Sequence, residues 1–61
     1  MDLKTARRLK NFSQLQLATE VGVHHSTVSL IERGYQKPTR DQIDRIEVAL
    51  EMKNLIEWSR K

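Results

Sequence analysis

One segment decides the fold, residues 14–33, which read Gln14-Leu15-Gln16-Leu17-Ala18-Thr19-Glu20-Val21-Gly22-Val23-His24-His25-Ser26-Thr27-Val28-Ser29-Leu30-Ile31-Glu32-Arg33. Its apolar periodicity predicts two helices, over residues 14–21 and 25–33. Gly22 permits a tight turn between them, because glycine enters the left-handed region without steric cost. Ala18 is small where the helices should cross. The segment therefore predicts two short helices packed closely across a glycine turn, which is a helix-turn-helix arrangement.

The rest of the chain is also predicted to be helical. Only Gly22, Gly34 and Pro38 break helices strongly, and no alternating pattern predicts a strand. Five helices are predicted, near residues 2–11, 14–21, 25–33, 40–50 and 53–59. Ser13 with Gln16 forms the pattern of a capping box, and Thr39 can cap the fourth helix. We expect an all-α, compact five-helix domain that spans residues 1–61, with the helix-turn-helix formed by helices 2 and 3.

The composition excludes several classes of protein. A chain of 61 residues makes one small domain, which buries only about 60% of the surface that its unfolded chain exposes. It has no cysteine, so neither disulfides nor thiolate metal ligands can supplement the core. No run resembles a signal peptide or a membrane span, which indicates a cytoplasmic protein with no membrane partner. A single small core can scarcely wall an enzyme pocket, so a binding module is favoured over an enzyme.

No catalytic, metal or cofactor site is predicted. The two histidines, His24 and His25, are adjacent and point about 100° apart on a helix, so they cannot face one ion. Nucleophile triads and glycine-rich phosphate loops do not occur in the sequence.

Positive charge is concentrated toward the N-terminus. Residues 1–40 hold seven Lys and Arg against three Asp and Glu, a net charge of +4, whereas residues 41–61 carry a net charge of −1. A polyanion would dock on the basic part. A solvated surface with a slight excess of lysine and arginine is the alternative.

The chain resembles the Cro/XRE-type helix-turn-helix repressors of phages and mobile elements. The matching residues are Ser13-Gln14, Leu17-Ala18, Gly22-Val23, Val28-Ser29, Glu32-Arg33-Gly34 and Pro38. The resemblance covers roughly residues 3–56. It implies a lambda-repressor-like fold, a bacterial or phage-encoded protein and a double-stranded DNA partner, with the protein associated with the nucleoid when bound.

The resemblance also implies which residues read bases. In the family, the start of the second helix of the motif enters the major groove. On a helical wheel, the face opposite the buried Val28 and Ile31 presents short polar side chains and one leucine. The implied base-contacting residues are His25, Ser26, Ser29 and Leu30, with Thr27 on the flank.

Leu30 could touch a thymine methyl or, alternatively, cover a partner protein, and His24 could approach a phosphate or cap the helix. No Arg, Gln or Asn in the part of this face expected to enter the groove offers a bidentate contact to a base, although Arg33 lies at the far end of the face. Modest direct readout with a larger contribution from DNA shape is therefore expected.

Phosphate contacts are expected at the starts of the second and fourth predicted helices and at the end of the second helix of the motif. Free amides and the positive end of a helix favour an anion. The residues assigned to phosphate are Ser13, Gln14, Lys37, Thr39, Arg40 and Arg33. Lys4, Arg8 and Lys10 either add charge from the first helix or are simply solvated. The family pairs an arginine of the first helix with the glutamate of the motif, so Arg7 and Glu32 are assigned to a structural ion pair.

The C-terminal segment carries more apolar surface than a small core needs. Met52, Leu55, Ile56 and Trp58 fall on one arc of the predicted fifth helix. These four are candidates for a two-fold dimer interface, with Trp58 as its anchor. The alternative is that all four belong to the core.

The sequence therefore predicts a sequence-specific transcriptional regulator, a repressor that binds a pseudo-palindromic operator as a homodimer. One alternative is a DNA-binding antitoxin or recombination accessory factor of a mobile element. A second is a protein-interaction module that has lost DNA binding and uses Leu15, Leu30 and Trp58 as contacts. An antirepressor or another partner protein could switch the regulator off.

Overall fold

The computed structural model describes residues 1–58, and within them it contains helices and no strand. The four helices are α1 (Leu3–Leu9), α2 (Gln14–Val21), α3 (His25–Arg33) and α4 (Arg40–Leu50). The last three have the predicted bounds. The prediction of α1 was two residues too long at its end, because Asn11 adopts a left-handed backbone with φ of 60°.

Local hydrogen bonds start α2 and α4. The Ser13 hydroxyl accepts from the amide of Gln16 at 3.0 Å, and the Gln16 side chain accepts from the amide of Ser13 at 2.8 Å. Thr39 and Gln42 form the same reciprocal pair at the start of α4. Each box satisfies two amides that a helix start would otherwise leave without a partner. The predicted capping box is thus confirmed, and a second one accompanies it.

Glycine ends the two helices of the motif. Gly22 follows α2 with φ of 85°, and Gly34 follows α3 with φ of 82°. Both lie in the left-handed region, where a β-carbon costs about 1 kcal/mol or more. The left-handed turn at Gly22 lets α3 fold back against α2, so the two helices form the predicted helix-turn-helix.

The core lies between α2 and its neighbours, because α2 packs against both α3 and α4 while α1 packs against α3. Every helix contributes apolar residues one turn apart, which is the spacing that places side chains on one face. The largest fully buried side chains are Leu17, Val21, Val28, Ile46 and Leu50. Ala18 is 1% exposed, as expected for a small residue where helices cross closely.

The predicted fifth helix, residues 53–59, is wrong over its described part, because residues 53–58 form a turn followed by a bend and irregular backbone. Residue 59 lies outside the described residues. Glu51 ends α4 in a left-handed conformation with φ of 57°, and Asn54 has φ of 65° inside the segment expected to be helical. The amide of Glu57 donates to the carbonyl of Met1 at 2.8 Å and not to a carbonyl four residues earlier. A left-handed residue and a long-range backbone partner are both incompatible with a continuous helix.

This C-terminal tail, residues 51–58, still completes the core. Met52 and Ile56 are buried at 8% and 7% exposure and join the apolar cluster. The spacing of four between them is also the spacing of a helix, so periodicity alone could not distinguish a turn from a helix here. None of the helices described is long and apolar enough to cross a membrane.

Candidate nucleic-acid interface

The outward surface of α3 is the first part of the candidate interface. His25, Ser26, Leu30 and Arg33 are exposed on α3, and Leu30 is 36% exposed. Thr27 and Ser29 are half-buried. The exposed groups comprise an imidazole, a hydroxyl, an aliphatic side chain and a guanidinium, which together can hydrogen-bond a base edge, contact a thymine methyl and bind a phosphate.

His24 lies just before α3 and caps it. Its Nδ1 accepts from the amide of Ser26 at 3.2 Å and lies 2.8 Å from the Ser26 hydroxyl. The His24 ring also stacks on the His25 ring, with centroids 5.1 Å apart. Of the two roles considered for His24, the structure shows the capping one.

The starts of α2 and α4 present hydroxyl donors. In each capping box the hydroxyl oxygen of Ser13 or Thr39 accepts an amide, and a hydroxyl has one proton as well as its lone pairs. Both hydroxyls therefore keep a proton to donate. The first amides of α2 and α4 have no partner within their helices, so they add donors of the kind that bind phosphate.

Gln14 is held from within the fold. Its side-chain amide donates to Oε1 of Glu32 at 3.0 Å. An amide group has two N–H bonds, so one donor of Gln14 is directed at the carboxylate and the other is left for a ligand. This bond ties the start of α2 to α3.

Three cations assigned to phosphate are exposed, Arg33, Lys37 and Arg40. Arg33 is in the last turn of α3, Lys37 is in the loop after it, and Arg40 begins α4. Arg40 also forms an ion pair with Asp44 at 3.3 Å, with side chains 79% and 56% exposed. Such an exposed pair is weak, so Arg40 can exchange Asp44 for a phosphate at little cost.

The structure places Arg7 and Glu32 in direct contact. Nε of Arg7 lies 2.6 Å from Oε2 of Glu32, and the two side chains are only 9% and 4% exposed. Arg7 also donates to the carbonyl of Phe12 at 2.7 Å. Glu32 thus accepts from both Arg7 and Gln14, so one buried carboxylate joins α1, α2 and α3.

Two residues of α4, Arg45 and Glu47, make contacts outside their own helix that the sequence does not predict. Arg45 of α4 donates to the carbonyl of Val21 at 3.2 Å, at the end of α2, and pairs with Asp41 at 3.0 Å. Glu47 is 9% exposed and accepts from the amide of Asn54 at 3.3 Å. Only the spacing of Arg45 four residues after Asp41 gave a local signal. Nothing local indicates that Arg45 reaches another helix or that Glu47 holds the tail.

The dimer candidates differ in position. Met52 and Ile56 are buried in the core of their own chain, so in this conformation they are not available to a partner. Leu55 is 55% exposed, and Trp58 is half-buried against the core. Within residues 1–58 no group of three or more metal-ligating side chains gathers at one point.

Comparison with known proteins agrees with this geometry. A family model described as helix-turn-helix matches residues 3–58. No curated protein and no solved structure gives a match. Because the family match covers nearly the whole chain, this protein belongs to the Cro/C1-type helix-turn-helix (XRE) family of DNA-binding regulators.

Proposed function

We propose that this protein is a cytoplasmic repressor that binds a pseudo-palindromic operator as a homodimer. The observation that carries the proposal is the exposed surface of α3, where His25, Ser26, Leu30 and Arg33 extend outward from a helix-turn-helix. In this motif the second helix is the one that enters the major groove. The side chains available on α3 suit base edges and phosphates better than they suit a protein core.

The length of α3 favours a dimer. A helix of nine residues is about 13 Å long, so it can follow only a few base pairs in one groove. Two copies presented about 34 Å apart would read two half-sites on one face of the duplex. The symmetry of a homodimer then requires a pseudo-palindromic operator.

Selection from random duplexes tests this function. The wild-type protein should enrich one duplex motif made of two inverted half-sites, with centres about 10 base pairs or a multiple apart. Enrichment of a single half-site would contradict the homodimer. Failure to enrich any duplex would contradict DNA reading altogether.

Salt dependence separates DNA binding from protein interaction. If each protomer neutralises three phosphates, log affinity for the selected duplex should fall against log salt with a slope of about −5. Lys37→Ala should weaken all duplexes alike and reduce the slope by about 2 per dimer, because it removes one cation from each protomer. Ser29→Ala is the matched variant, since it should change sequence preference and leave the slope unchanged. A slope near zero would favour a protein-interaction module.

A further inference from the structure

A hydrogen bond at the start of α3 defines which nitrogen of the neutral His24 ring is the acceptor. The backbone amide of Ser26 donates to Nδ1 of His24 at 3.2 Å. An amide N–H has only a proton to give, so Nδ1 is the acceptor. An imidazole nitrogen that accepts carries no proton of its own, and the neutral ring then has its proton on Nε2.

The same nitrogen orients the hydroxyl of Ser26. Oγ of Ser26 lies 2.8 Å from Nδ1 of His24. Because Nδ1 has no proton, this contact is a hydrogen bond in which the hydroxyl donates. A serine hydroxyl has one proton and two lone pairs. With that proton directed at His24, the exposed side of Oγ has only lone pairs to offer to DNA.

We propose that His24 is a specificity-determining residue, because it makes Ser26 an acceptor toward the major groove. In that groove adenine and cytosine present an amino group, whereas guanine and thymine present only acceptors for hydrogen bonds. Ser26 therefore selects adenine or cytosine over guanine or thymine at the base that it faces. This inference rests on the proposed function, in which α3 reads the major groove.

The arrangement exists before DNA binds. His24 precedes α3 with φ of −69° and ψ of 146°, so its side chain turns back over the first turn of the helix. Its ring is held on one side by the amide of Ser26 and is stacked on His25 at an interplanar angle of 28°. The orientation of the Ser26 hydroxyl is thus imposed by the protein. A guanine or thymine at this position would place its own acceptor against the Ser26 oxygen, and neither acceptor would have a donor.

Two substitutions of His24 separate this role from capping. In His24→Asn the oxygen Oδ1 is as many bonds from Cα as Nδ1 is, so it keeps an acceptor beside Ser26 and remains a favourable N-cap. In His24→Gly the acceptor is lost, while glycine is still a tolerated N-cap residue. Ser26→Ala identifies the base pair that Ser26 faces, as the position whose preference disappears.

The experiment is a selection from random duplexes with the wild type and these three variants. The wild type and His24→Asn should prefer adenine or cytosine by about tenfold at the base identified by Ser26→Ala. In His24→Gly the hydroxyl is free to donate, so this preference should fall to about twofold or less, with other positions unchanged. An unchanged preference in His24→Gly would overturn the inference, as would a Ser26→Ala profile identical to that of the wild type. If the wild type enriches no duplex, the proposed function itself fails.

A measurement on the wild-type protein does not depend on the folding of any variant. When the His24 imidazole is neutral, the ¹⁵N chemical shift of its Nδ1 should be that of an unprotonated ring nitrogen. A shift typical of a protonated Nδ1 would overturn the inference, because Nδ1 would then donate to Ser26.

Discussion

At the scale of single residues, Glu32 links the candidate interface to the stability of the fold. Its carboxylate is 4% exposed and accepts from Arg7 and Gln14, so it compensates a buried guanidinium and orients an amide assigned to phosphate. Removal of one partner from a buried ion pair leaves a charge without compensation. Glu32 is therefore the position at which a single substitution should affect both properties.

Glu32→Gln should destabilise the protein by about 3–5 kcal/mol, because Arg7 would remain buried without an opposite charge. Urea unfolding followed by circular dichroism measures this change. Asp41→Asn is the matched control, since it breaks the exposed Arg45–Asp41 pair, whose side chains are 57% and 73% exposed. The control should cost less than about 1 kcal/mol. Equal costs for the two substitutions would show that the Arg7–Glu32 pair is not buried in solution.

At the scale of elements, α2 and α4 each end at a residue with a left-handed backbone, but that residue is a glycine after α2 and a glutamate after α4. Gly22 occupies such a position with φ of 85°, and the nearest atom to an added β-carbon would be Nη1 of Arg45 at 3.3 Å. Glu51 occupies another with φ of 57°, although glutamate has a β-carbon. Substitutions at the two positions should therefore change stability with opposite signs.

Gly22→Ala should destabilise the protein by about 2 kcal/mol. About 1 kcal/mol is the cost of a β-carbon in the left-handed region. The remainder comes from displacement of the Arg45 guanidinium, which donates to the carbonyl of Val21. In an Arg45→Ala background the same substitution should cost only about 1 kcal/mol, and a double-mutant cycle measures the difference. Equal costs in both backgrounds would contradict the contact.

Glu51→Gly should stabilise the protein by about 0.5–1 kcal/mol, because glycine relieves the left-handed strain at the end of α4. Among residues 1–58 the substitution removes one ion pair, Lys10–Glu51 at 3.6 Å, and that pair is weak because its side chains are 37% and 81% exposed. Thermal unfolding measures the gain. Glu51→Ala removes the same ion pair but keeps the strain, so a comparable gain in that variant would refute this explanation.

At the scale of the whole molecule, the tail decides how much of the chain is available to a partner. Its backbone pairs with the first residue, through Met1 and Leu55 at 3.2 Å and through Met1 and Glu57 at 2.8 Å. This pairing buries Ile56 and leaves Leu55 outward. One side of the tail therefore belongs to the fold, and the other is free to form the proposed dimer.

Ile56→Ala should destabilise the monomer by about 2–3 kcal/mol, because it leaves a cavity in the core. Leu55→Ala should change the stability of the monomer by less than about 0.5 kcal/mol, since Leu55 is 55% exposed. Urea unfolding under dilute conditions compares the two. Sedimentation at micromolar concentration should show that Leu55→Ala weakens the dimer. A dimer unaffected by Leu55→Ala would exclude this surface as the contact.

The bounds of α2, α3 and α4 follow from the sequence because their determinants are local. Ser13 and Gln16, like Thr39 and Gln42, are three residues apart, and their reciprocal hydrogen bonds involve no residue distant in sequence. The left-handed position of Gly22 is equally local. Such short-range signals also predict the helix-turn-helix, the motif of the family of DNA-binding regulators to which the protein belongs.

Only the tertiary structure decided the rest, because the partners are distant in sequence. Met1 and Leu55 are 54 residues apart, and their contact turns an apparent helix into a loop that completes the core. Gln14 and Glu32 are 18 residues apart, and their bond directs an amide that the sequence left free. A pattern of residue types specifies which groups a chain offers, whereas long-range packing specifies which of them face inward. The sequence thus determined where this protein places its helices, and the tertiary structure determined which donors and acceptors those helices leave for DNA.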